Sequence, residues 1–134
     1  MKKDISFLPV EGVNIAITRD TNELNQYTWT VYLLNKNEFP ITDVTIRSKG
    51  YGTLDGEHQE TSTLKHHFTS IAGQFFQIIE PIDPSVFHLN NEYWVSYFIN
   101  RQVYDKKFIF VPESIIEKHL IFIPELDKYG ILHV

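Results

Sequence analysis

Cysteine is absent from the 134-residue chain, which excludes disulfide staples, a thiol nucleophile and any Cys-ligated zinc site and permits a reducing compartment. Long apolar runs are missing too. No window approaches the roughly 18 uninterrupted apolar residues of a membrane helix, and the stretch from Ile5 to Val10 is broken by Ser6 and Pro9. Met1-Lys2-Lys3 meets Asp4 at once, a start that predicts no signal peptide. The expectation is a cytoplasmic protein without membrane contact. Positive charge is in deficit: twelve Lys and Arg against seventeen Asp and Glu leave a net charge of −5. No broad positive field then gathers phosphate backbones, and nucleic acid is not an expected partner. Internal repeats, low-complexity tracts and Gly/Ser linkers are lacking as well, so residues 1–134 read as a single domain.

What is present is a core. Hydrophobic residues make up 43% of the chain, with ten Phe, seven Tyr and two Trp, enough to fold without metal or disulfide. Val13, Ile15 and Ile17 alternate with Asn14, Ala16 and Thr18, the period of a half-buried strand ending near Arg19. Tyr27 to Asn35 is dominated by β-branched and aromatic residues and reads as a central strand. Val44 and Ile46 alternate with Asp43, Thr45 and Arg47, Thr61 to Phe68 and Phe75 to Glu80 read as strands, and Glu92 to Ile99 turns at Asn100-Arg101-Gln102 into Val103 to Val111. Trp29, Val31, Leu33, Val44, Ile46, Tyr97 and Phe108 are the expected core. After Pro112, the spacing of Ile115, Ile116, His119 and Leu120 predicts a short C-terminal helix. Leu126, Tyr129, Ile131 and Leu132 are expected to pack the tail onto the body. About seven strands without strand–helix alternation point to an all-β fold, an antiparallel immunoglobulin-like sandwich, with a small barrel as the alternative.

Few residues carry chemistry by spacing. None of the six histidines stands at i and i+2 or i and i+4 from another, so no metal site and no cofactor is implied. His66, beside Leu64 and Phe68, reads as a hydrogen-bonded or partly exposed structural histidine rather than a ligand. Lys49 to Glu60, with Gly50, Gly52 and Gly56, is the longest expected loop, with a tight turn at Asp55-Gly56. Tyr51, Asp55, Glu57 and His58 lie in it and form the candidate ligand-binding group: carboxylates and an imidazole that serve acid–base chemistry if folded over a pocket, and an ordinary solvated turn otherwise. Neither a phosphate-loop nor a dinucleotide spacing follows the glycines, and no serine sits in a Gly-x-Ser-x-Gly elbow.

The strings Ser48-Lys49-Gly50-Tyr51-Gly52, Asp55-Gly56-Glu57, Thr61-Ser62-Thr63, Asn91-Glu92 and Tyr104-Asp105-Lys106-Lys107 resemble a family of short bacterial proteins often labelled phenylalanyl-tRNA synthetase alpha subunit. The resemblance runs from about Trp29 to Gly130-Ile131-Leu132, and its label implies a translation-linked, tRNA-binding role. It carries over no catalytic residue, because none of Arg19, Arg47 and Arg101 lies in an ATP-gripping motif. From the residues themselves, the leading expectation is a non-enzymatic protein-binding or assembly module with a protein partner or a weak homodimer. The alternative is a small enzyme or ligand-binding protein that uses the Gly50 to His58 segment.

Overall fold

The computed structural model describes residues 9–134; Lys2-Lys3 and the stretch from Ile5 to Leu8 lie outside the described residues. Ten strands follow in chain order among them: β1 (Val13–Thr21), β2 (Tyr27–Asn35), β3 (Ile41–Leu54), β4 (Glu57–Glu60), β5 (Leu64–Ile71), β6 (Phe75–Pro81), β7 (Asn90–Ile99), β8 (Gln102–Phe110), β9 (Ile121–Ile123) and β10 (Lys128–His133). They form two antiparallel sheets. The first runs β6-β2-β1-β10-β9; the second runs β4-β3-β7-β8, with β5 pairing the N-terminal half of β3. The sheets pack face to face as a sandwich and do not close into a barrel.

Period-two alternation explains the core. Ile15, Ile17, Trp29, Val31 and Leu33 of the first sheet meet Val44, Ile46, Val95, Tyr97 and Phe108 of the second, and all are buried. Each such side chain contributes on the order of 1.5–3 kcal/mol by leaving water. All seven expected core residues are among them. A second apolar cluster lies on the outer face of the first sheet, where Ile123 and Leu126 of the tail cover Ala16, Tyr32 and Leu34. The expected docking of the tail is thus achieved by strands, although Tyr129 stays exposed.

Three expectations need correction. In place of a C-terminal helix there is a single 3-10 turn, Glu117–His119. Ile116 before it and Leu120 after it are extended, Ile115 is buried as a core anchor, and 121–123 pair with β10. A helix nucleus is costly, and so short a run before Pro124 cannot repay it against those contacts. Nor is Lys49 to Glu60 a loop. β3 continues to Leu54 and folds back as β4, with Tyr51 opposite Glu60 and Leu54 opposite Glu57. Glycine suits this strand because Leu89 crowds it: a Cβ on Gly52 would sit 3.3 Å from Leu89 Cδ2. Only Asp55-Gly56 turns, both at positive φ (52° and 78°), as a two-residue hairpin requires. Asn100 and Arg101, at 46° and 67°, make the same kind of turn between β7 and β8. The strand expected over Thr61 to Phe68 is displaced to 64–71.

Candidate functional site

The four candidate residues sit on the β3–β4 hairpin and do not converge. Tyr51 and His58 share one face of it, Glu57 lies on the other beside Leu54, and Asp55 occupies the turn. The Tyr51 hydroxyl donates to Glu92 Oε1 at 3.5 Å; burial, and then the Glu92 charge, raise its pKa above the ordinary phenol value. His58 Nε2 lies 3.4 Å from Glu60 Oε2, with its side chain 65% exposed. Such an exposed pair contributes little.

A denser group of polar side chains stands between the sheets. β6 pairs with β2 so that Gln77 faces Leu33 and Ile78 faces Tyr32, but the register then shifts and Glu80 faces Val31. Ile79 is the extra residue. It is buried in the core, and the shift turns the next side chain, Glu80, inward as well, whereas strict alternation would have sent it to solvent. Glu80 Oε1 accepts from the Ser48 hydroxyl at 2.8 Å and lies 2.6 Å from His66 Nε2, while Tyr93 OH donates to Oε2 at 3.4 Å. Three donors thus compensate a carboxylate only 11% exposed. Burial first, and the Glu80 charge second, push the Tyr93 phenol far above its ordinary pKa, so it stays a neutral donor. This is not a serine–histidine–acid relay, because the single Ser48 proton is committed to Glu80 rather than to an imidazole.

A half-open cavity of about 170 Å³ adjoins the carboxylate, lined by Ser48, Gly50, Thr61, Glu80, Asn91 and Tyr93 among others. Of the segment 50–58, only Gly50 reaches it. His66 is hydrogen-bonded, as its sequence setting suggests, but Ser48, Glu80 and Tyr93 are site residues that no spacing in the sequence announces. The one available signal is an acid closing the largely apolar, uncharged stretch Phe75 to Ile79.

The sheet edges differ in protection. Unpaired edge N–H and C=O groups invite another strand unless the edge is short, charged or bulged. β8 carries Asp105, Lys106 and Lys107; β5 carries Lys65, His66 and His67; β4 carries Glu57, His58 and Glu60; β9 has three residues. β6 differs. From Phe75 to Ile79 it has no charge, and Phe75, Phe76 and Ile78 are 52%, 36% and 52% exposed. The bulge and Pro81 guard only its C-terminal end. The Phe75 and Phe76 rings stack at 5.1 Å beside a notch of about 220 Å³ that Leu34 also lines, with the Lys36–Glu125 ion pair (3.1 Å) at its rim.

Among the described residues, no helix is long and apolar enough to cross a membrane, and no three His, Asp or Glu side chains gather as a metal site would need. Comparison with protein-family models, with curated proteins and with solved structures finds no match to this chain.

Proposed function

We propose that the protein is a non-enzymatic, cytoplasmic protein-binding module that takes an extended segment of a partner as an added strand along β6. The observation that carries this reading is the contrast among edges: β6 is the long edge without charge from Phe75 to Ile79. Main-chain hydrogen bonds supply affinity in such strand addition, and pockets for alternate side chains supply selectivity. The exposed Phe76 and Ile78 share a face with Leu34 and Tyr32, so a partner strand with apolar residues at alternate positions would extend that surface. The notch beside Phe75 and Phe76 offers an anchor for one larger side chain. Cytoplasmic placement belongs to the same proposal and rests on composition. The alternative, ligand handling by Tyr51, Asp55, Glu57 and His58, has less support because these side chains are divided between two faces and a turn.

The test is selection of extended peptides from a random displayed library on the wild-type domain, followed by rebinding to Ile78→Lys. The expected result is enrichment of alternating apolar sequences that bind the variant at least about tenfold more weakly, a loss of about 1.4 kcal/mol. Unfolding should be unchanged because Ile78 is half exposed. Failure to enrich, or equal binding to the variant, would remove the reading. Sedimentation across a concentration series identifies the case in which the added strand comes from a second copy.

A further inference from the structure

We propose that the cavity beside Glu80 binds a guanidinium or ammonium group, carried either by a small molecule or by a basic side chain of a partner strand laid on β6. This inference goes beyond strand addition and stands on a separate observation, the placement of a carboxylate inside the sandwich. A backbone irregularity aims Glu80 inward: the register shift at Ile79 breaks the alternation of β6 and sends two successive side chains into the interior. Bulges of this kind re-aim side chains next to sites. The buried carboxylate is oriented by donors from three strands, Ser48 on β3, His66 on β5 and Tyr93 on β7.

The cavity it faces is complementary to a cation. Asp83, a second carboxylate in the lining, accepts from the Ser85 amide at 2.8 Å. That bond holds its carboxyl below the usual carboxylate range, so it stays charged at neutral pH. Ser48, Thr61, Ser62 and Asn91 add polar lining. The lining lysine, Lys49, has its ammonium group drawn away to Glu60 (3.9 Å) and to the Tyr51 ring (5.5 Å). Ser48 and His66 occupy Oε1 and Tyr93 takes one site of Oε2, so a guanidinium or ammonium N–H donates to the acceptor site left on Oε2, and Leu64, Ile82 and Val86 supply apolar wall for its stem. A partner strand laid on 75–78 can deliver the same group from the residue that follows its pairing, where the bulge and Pro81 end the edge beside Glu80.

The experiment is an amide NMR titration of wild type and Glu80→Gln with methylguanidinium chloride, with methylurea as the neutral near-isostere and sodium chloride at matched ionic strength. A second arm uses a β6-binding peptide with arginine, or neutral citrulline, at the residue that follows its pairing with 75–78. Saturable shifts at Ser48, Gly50 and Asn91 with methylguanidinium, absent with methylurea and weakened about tenfold or more in Glu80→Gln, identify a free small cation. Shifts produced only by the arginine peptide, and lost with citrulline, identify a partner side chain. The proposal is overturned if neither arm produces charge-dependent shifts, or if methylurea acts as well as methylguanidinium on wild type, a control that does not depend on the variant folding. Failure of every peptide to bind contradicts strand addition alone, since methylguanidinium still decides the cavity.

Discussion

Glu80 and His66 meet at 2.6 Å across the open seam of the sandwich, one on the edge strand of the first sheet and the other on an edge strand of the second. Ser48 and Tyr93 close on the same carboxylate, so one side chain ties β6 to three strands of the facing sheet. Replacing it by alanine strands buried donors, which costs about 1–3 kcal/mol, whereas Glu80→Gln keeps an acceptor in place and should cost less. Denaturant unfolding of the two variants checks the order; an alanine variant as stable as glutamine would show that the cluster does not join the sheets.

Trp29 meets Phe87 edge to face at 5.1 Å and is 9% exposed. Trp29→Ala should lower stability by roughly 3–5 kcal/mol through lost transfer energy and a residual cavity. A variant with unchanged unfolding midpoint would contradict the burial of this face.

The core residues are legible in the sequence because β1, β2, β7 and β8 follow strict alternation, and an inward face read from period two is the inward face that packs. Gly50 and Gly52 mislead for a physical reason: glycine marks a loop and also marks a strand that a neighbour crowds, here through Leu89, and only tertiary contact separates the two. Ile115 to Leu120 has helical spacing, but its residues serve core anchoring and a strand connection. Glu80 is invisible as a site because the bulge at Ile79 is set by pairing with β2, which one strand's own sequence does not report.

Tyr97 is fully buried, and its hydroxyl lacks a hydrogen-bond partner among the described residues. Removing an unpaired buried polar group recovers its desolvation cost, so Tyr97→Phe should match or exceed the wild type by up to about 1 kcal/mol. A clear loss in chemical denaturation would mean that the hydroxyl is bonded in solution.

Burial raises the pKa of both Tyr93 and Tyr97 far above the free phenol value of 10.0. Above about pH 10 the unfolded chain loses phenolic protons that the folded protein keeps, so it binds fewer protons and stability falls with rising pH. The contribution is fully present below pH 10 and declines above it by up to about 1.4 kcal/mol per unit for each tyrosine. Melting temperatures between pH 9 and 11 should drop, less steeply in Tyr97→Phe; identical slopes would exclude this tyrosine as a source.

Gly56 has φ 78°, and a Cβ added there would meet no described atom within 4 Å, so Gly56→Ala meets backbone strain alone, about 1–2 kcal/mol. This hairpin tip belongs to the second sheet and β6 to the first, and peptide binding should survive the change. Loss of binding with intact folding would implicate Asp55, Glu57 and His58 instead of β6.

Strand addition along β6 is tested most directly by hydrogen exchange of the domain with and without a selected extended peptide. Alternate amides within 75–78 should pass from fast to slow exchange on binding, because their outward N–H groups gain ladder partners, while the charged edge β8 keeps its free-state rates. Protection that appears on β8 or β5 instead, or no new protection on β6 at saturating peptide, would contradict the account.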